Sequence, residues 1–219
     1  MHHLYRRKQG IRTMQKTLRH SAPIVGALAL ALSLTGCGTT SSTDARGHTA
    51  PASAQAVLDN PPAEFVPWLV KAGSICPQIG PPLLAAQIDE ESGFEPHEPG
   101  ATGTSGYSQL DPVIWSAFGS PVDTLGNPVG PAGTGDPNSV ADSVMALGKY
   151  MCFLSSSLDF LVDDGAITGT DNPAELYLAA FTGGLSTVTS ERGFPSSSDL
   201  IRAQVDEVLA AEPAYRWIK

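Results

Sequence analysis

Leu83-Leu84-Ala85-Ala86-Gln87-Ile88-Asp89-Glu90-Glu91-Ser92-Gly93-Phe94 is the stretch on which the reading of this 219-residue chain turns. Pro81-Pro82 stands before it, where a first helical turn tolerates proline, and Ser92-Gly93 supplies a stop. At 100° per residue, Leu84, Ile88 and Glu91 fall within about 60° of one another. Glu91 is therefore aimed at the buried side, close to the helix end. A carboxyl placed there is expected to be partly desolvated and to hold its proton above the usual pH. A general acid needs that property to protonate a leaving oxygen. The same geometry also fits a structural carboxylate at a helix end. Glu90 lies about 100° round the helix, towards Leu83, and is expected on a solvated flank, with Asp89 further away still.

Outward from this segment the chain reads as mainly helical. Ala63 to Ser74 is a short apolar segment holding Trp68. Asp111-Pro112 opens a short helix with Asp111 as N-cap and Trp115 inside. Asp136-Pro137 is expected to cap a long helix with Val140, Val144, Leu147, Met151 and Leu154 at near-helical spacing. Asn172-Pro173 caps the next, which ends at Gly183-Gly184, and a last helix spans about Ser198 to Ala211. Gly93 to Gly106 and Gly119 to Gly135 are Gly/Pro-rich loops, and a small hairpin between Gly93 and Leu110 is the most strand that fits. The fold class expected is mainly α (α+β), with at most a small hairpin and one disulfide, in a single helical domain over 61–219.

The first 36 residues do not read as part of that domain. Arg6, Arg7, Lys8, Arg12, Lys16 and Arg19 form a basic region ahead of an apolar run from Ala22 to Leu34, too short for a membrane span and suited to a signal peptide. The run ends in Leu34-Thr35-Gly36-Cys37, which resembles the lipobox of bacterial lipoproteins. That resemblance implies lipidation of Cys37, export, and a membrane anchor on the cell-envelope side; the alternative is a secreted protein with a free Cys37. Residues 37–60 are small and polar and read as a flexible linker. Six of the 13 Lys and Arg but none of the 22 Asp and Glu lie in 1–36, so the remainder carries a net charge of −15. Such a surface argues against nucleic acid and anionic lipid as electrostatic partners. Cys76 and Cys152 remain, and outside a reducing cytosol they are expected to pair, a redox or metal role lacking the local spacing.

Downstream of Glu91-Ser92-Gly93-Phe94 come Gly103-Thr104-Ser105-Gly106-Tyr107-Ser108-Gln109, then Pro112 and Trp115. This ordered series resembles the catalytic core of soluble lytic transglycosylases, which share the goose-type lysozyme fold. The family reads E-S-x-[FW]-x-P, then G-A-x-G-L-M-Q, and its third motif, A-Y-N-A-G, would fall on Ala180-Phe181-Thr182-Gly183-Gly184. The resemblance spans roughly Ala63 to Leu200. It implies that Glu91 is the single catalytic acid/base. It further implies that Gly106, Tyr107, Ser108 and Gln109 line a glycan cleft, with Phe181 and Thr182 on the opposite wall. The partner implied is a peptidoglycan glycan strand, cleaved between N-acetylmuramic acid and N-acetylglucosamine without a cofactor or metal, by a monomer.

Four departures stand against that pattern. Gly100 replaces the family's serine nine residues after the glutamate, Phe181 its tyrosine, Thr182 its asparagine, and Tyr107-Ser108 its Leu-Met pair. Each alters a polar or packing contact around the acid, which keeps two other readings open: a peptidoglycan-binding lipoprotein without turnover, and a hydrolytic muramidase. Among the aromatic residues, Tyr107 is the best candidate to stack on a sugar, while Trp68, Trp115 and Phe181 suit a core. His97 falls in the loop after Glu91 and reads as solvent-exposed. Asp123, Asn127 and Asp136 fit no EF-hand spacing, and no G-x-S-x-G elbow is present.

Overall fold

The computed structural model describes residues 61–96 and 103–219, all within the compact unit Ala50–Lys219. Among these residues are seven α-helices: α1 (Val66–Ala72), α2 (Pro81–Ser92), α3 (Pro112–Phe118), α4 (Val140–Asp163), α5 (Ala174–Gly183), α6 (Leu185–Ser190) and α7 (Asp199–Ala211). A 3-10 turn, Glu212–Tyr215, follows. Pairing between extended segments is confined to two isolated bridges, Ser105 with Leu110 and Val122 with Pro128. The domain is thus mainly α, and the hairpin allowed before Leu110 is reduced to one bridge. The expected signal peptide and linker, Cys37, His97 and Gly100 lie outside the described residues.

α2 runs through the core. Pro81 and Pro82 fill its first turn, and Gly93 closes it in a left-handed conformation (φ +60°), donating its N–H to the Asp89 carbonyl. Leu83 through Ile88 are buried at six successive positions, so the middle of this helix has no solvent face. It packs against α1, α4, α7 and the 3-10 turn. Phe94, just past the stop, also has a positive φ (+62°). Its ring meets Phe65 edge-on at 5.1 Å and Tyr215 at 6.1 Å. That burial offsets a backbone conformation unusual for a bulky side chain.

α4 is 24 residues long, about 36 Å at 1.5 Å per residue. It has the length and hydropathy of a membrane span, but 61% of its most apolar window is buried inside the domain, as in a core helix. Its N-cap is Ser139, whose hydroxyl accepts from the Asp142 N–H, and not Asp136 as the Asp-Pro pair suggested. Asp136 instead accepts from Asn138 N–H in a turn just ahead. Asp142 is 8% exposed and takes the N–H of Val122 on one oxygen and of Asp136 on the other, each at 3.0 Å. One carboxylate thus gathers both ends of the Gly119–Gly135 loop onto α4. Further along, Gly148 allows α1 to approach: a Cβ there would sit 2.8 Å from the Ala72 Cβ.

Cys76, between α1 and α2, is disulfide-bonded to Cys152 in α4, as their pairing in an oxidising compartment predicts. α6, Leu-Ser-Thr-Val-Thr-Ser, has no apolar period and went unforeseen; it follows Gly184, whose φ is +83°, and buries Val188 alone. Reducing the disulfide should lower unfolding stability by about 4 kcal/mol, the loop-closure value for a separation of this size. Denaturant titration with and without reductant, compared with a Cys76→Ala/Cys152→Ala protein, measures it, and the two curves should coincide.

Candidate functional site

Glu91 sits in the last turn of α2 and is partly buried. It opens into a cavity of about 250 Å³ lined by residues of five helices and the loop before α3. Thr104, Gln109 and Leu110 come from that loop, Asp111 and Ile114 from the start of α3, Tyr150 from α4, Phe181 and Thr182 from α5, and Gln204 from α7. Glu91, Gln109, Phe181 and Thr182, up to 91 positions apart in sequence, meet in one hollow.

Burial dominates the electrostatics of Glu91. Desolvation raises its pKa from the ordinary 4.5 to about 7, and the neighbouring charge of Glu90 pushes the same way. Two amides oppose the shift: Gln87 Nε2 donates to Oε1 at 2.9 Å, and Gln204 Nε2 donates to the same oxygen at 2.8 Å. Glu90 is exposed, as the helical angle predicted. Asp89 accepts a 2.7 Å hydrogen bond from the Tyr215 hydroxyl, on the side facing the 3-10 turn. Neither Glu90 nor Asp89 lines the cavity.

The motif segment behaves unevenly. Gln109 lines the cavity, with a positive φ (+45°) and its amide donating to the Gly106 carbonyl at 2.6 Å. Gly106, Tyr107 and Ser108, all expected along the cleft, do not line it. Gly106 (φ +71°) passes so close to Pro137 that a Cβ would lie 2.0 Å from its carbonyl oxygen. The Tyr107 ring packs edge-on against Phe65 at 5.0 Å, away from the stacking position expected of it. Ser108 is buried and bonds Ser143: its N–H donates to the Ser143 hydroxyl at 3.2 Å and its own hydroxyl meets the Ser143 carbonyl at 3.1 Å. Tyr107 and Ser108 therefore fasten the loop to Phe65 and to α4, and Gln109 faces the cavity.

No family model, curated protein or solved structure matches this chain. The site must therefore be read from its own geometry. Six of its residues were not singled out from the sequence as site residues: Thr104, Leu110, Asp111, Ile114, Tyr150 and Gln204. Gln204 had no signal, lying 113 positions from its partner. Tyr150 was hidden inside an apolar helix; its ring is 5.8 Å from that of Phe181, which puts a phenol on the wall adjoining position 181. Asp111 was read only as an N-cap. Its Oδ1 does accept from Val113 and Ile114 N–H, yet the residue also lines the cavity. Asp123, weighed as a cation ligand, is occupied by the Leu125 and Asn127 N–H groups of its own turn. Among the described residues no cluster of three or more His, Cys, Asp or Glu side chains could hold a metal ion.

What the cavity can do chemically is protonate and deprotonate at neutral pH, through an acid whose neutral and ionised forms are both accessible near pH 7. The shift also has a stability consequence. Folded Glu91 holds its proton more tightly than the unfolded chain does. Its contribution is therefore fully present below pH 4.5 and lost as pH rises through about 7. Glu91→Gln keeps an oxygen for both amides and removes the charge. At about pH 8 the variant should be more stable than the parent by about 3 kcal/mol, and the difference should vanish below pH 4.5. Paired denaturant curves across pH measure it; a constant offset would show that the proton linkage lies elsewhere.

Proposed function

We propose that this protein is a peptidoglycan lytic transglycosylase that cleaves the bond between N-acetylmuramic acid and N-acetylglucosamine. The observation that carries this reading is Glu91 itself. It is an acid protonated up to neutral pH, in a cavity whose walls include Gln109, Phe181 and Thr182, the positions singled out by the ordered motifs.

In the reaction so inferred, the Glu91 carboxyl gives its proton to the glycosidic oxygen as the bond to C1 of the muramic acid breaks. The substrate's own N-acetyl group stabilises the cation at C1, so no second carboxylate is required. Glu91, now ionised, takes the proton of the C6 hydroxyl as that oxygen bonds to C1 and closes the 1,6-anhydro ring. The acid ends protonated, no water is consumed, and one group acts as acid and then base. A pKa near 7 suits both halves of that cycle. Tyr150 brings a phenol near the position where Phe181 has lost one. The same reading places the domain outside the cytoplasm, tethered by a lipid on Cys37, and a disulfide accords with that compartment.

Asp111 favours a second reading. A carboxylate in the same cavity as the acid is what an inverting glycosidase uses to activate water, and the protein would then be a muramidase. The two differ by one water in their products. Incubation of the protein with purified peptidoglycan, followed by mass spectrometry, should release anhydro-muropeptides, and Glu91→Gln should reduce release by about 10²-fold or more. Hydrated reducing ends that disappear in Asp111→Asn would instead establish the muramidase. Sedimentation with the wall and no release by the unmodified protein would make it a binding protein. Release that survives Glu91→Gln would remove Glu91 from the chemistry.

A further inference from the structure

The two oxygens of the Glu91 carboxyl are held differently. Gln87 reaches Oε1 from one turn earlier on α2, and Gln204 reaches the same Oε1 from α7, at 2.9 and 2.8 Å. An oxygen that already accepts two N–H donors cannot also carry the acidic proton without pointing its O–H at one of them. We propose that Gln87 and Gln204 are positioning residues that confine the proton of Glu91 to Oε2, so that the acid meets its substrate with the proton on the oxygen left free to react.

A second observation supports a role beyond packing. Gln87 is 1% exposed, and its Oε1 is the one buried side-chain polar atom among the described residues that lacks a hydrogen-bond partner. A dry, unpaired acceptor costs stability, and an apolar side chain of similar volume would avoid that cost. Turning the amide over would set its oxygen against Oε1 of Glu91, two acceptors face to face. The orphaned atom is therefore the consequence of pointing the amide N–H groups at the acid. Gln204 makes the arrangement rigid, because its helix is separate from the one that bears Glu91.

The surroundings leave the two amides as the groups that hold the charge. Glu90 on the same helix is acidic, and Glu207 on α7 bonds Glu90. Asp111 and Tyr150 line the cavity from α3 and α4, and α5 contributes only Phe181 and Thr182, neither of which titrates. Asp89 is engaged by Tyr215 of the 3-10 turn. Among the described residues no Lys, Arg or His lines the cavity. Amide donation favours the ionised carboxyl, hence removing a donor raises the pKa.

The importance of this arrangement for turnover rests on the proposed acid role, but the hold of the two amides on the Glu91 carboxyl can be read without substrate. In full-length protein carrying 13C-labelled glutamate, the Glu91 carboxyl is titrated by NMR in the parent, in Gln204→Leu and in Gln87→Leu. Each substitution should move the midpoint above the parent's by roughly one unit. On peptidoglycan, Gln204→Leu should lower turnover about ten- to a hundredfold with KM nearly unchanged, and its alkaline limb should move up in pH. Gln204 is half-buried at the cavity edge, so this variant keeps the test open if Gln87→Leu does not fold. An unchanged or lowered midpoint in folded Gln204→Leu would overturn the proposal. A raised midpoint in a protein that never releases muropeptides would leave the hold of the two amides standing and count against the transglycosylase reading alone.

Discussion

Burying α2 from Leu83 through Ile88 is the constraint on which the site depends. A helix with no solvent face across its middle can carry its charges only near its end, and there Asp89, Glu90 and Glu91 follow one another. Three acids in the last turn oppose the helix dipole, whose negative end lies at the C-terminus. For a structural helix this is a poor arrangement. Each acid is handled in its own way: Asp89 by a phenol, Glu90 by exposure, and Glu91 by two amides inside a cavity. A desolvated acid tolerated at the unfavourable end of a core helix is the pattern that function leaves on a structure.

Much of the fold was legible because its signals are local. Proline at the first turn, Asp111 as a cap, and Gly93 as a stop operate within four residues. Periodicity marked α4 for the same reason. Where the reading slipped, the deciding interaction was either a close competitor or distant. Asp136 and Ser139 both suit a cap, and Asp142, which no local rule singles out, pulls Asp136 into the turn. α6 has no periodic pattern and is held by what surrounds Val188.

The site divides along the same line. Glu91's tendency to burial was readable from three positions on one helix, and the shared cavity of Gln109, Phe181 and Thr182 from the order of motifs. Tyr107 and Ser108 were misjudged because adjacent residues in a tight loop turn to different sides. The left-handed backbone at Gly106 and Gln109 sends Tyr107 to Phe65, Ser108 to Ser143 and Gln109 to the cavity. Gln204, Tyr150 and the cavity face of Asp111 depend on how helices dock, which spacing along the chain does not encode.

The 113-residue separation between Glu91 and Gln204 has a bearing on biosynthesis. A ribosome finishes α2 long before it makes α7, so the emerging chain possesses its acid but lacks one of the two groups that orient it. Closing so long a loop is a late event in folding. The second amide bond to Glu91 therefore forms only once α7 has docked, and a chain halted before Gln204 would carry the glutamate without its full setting.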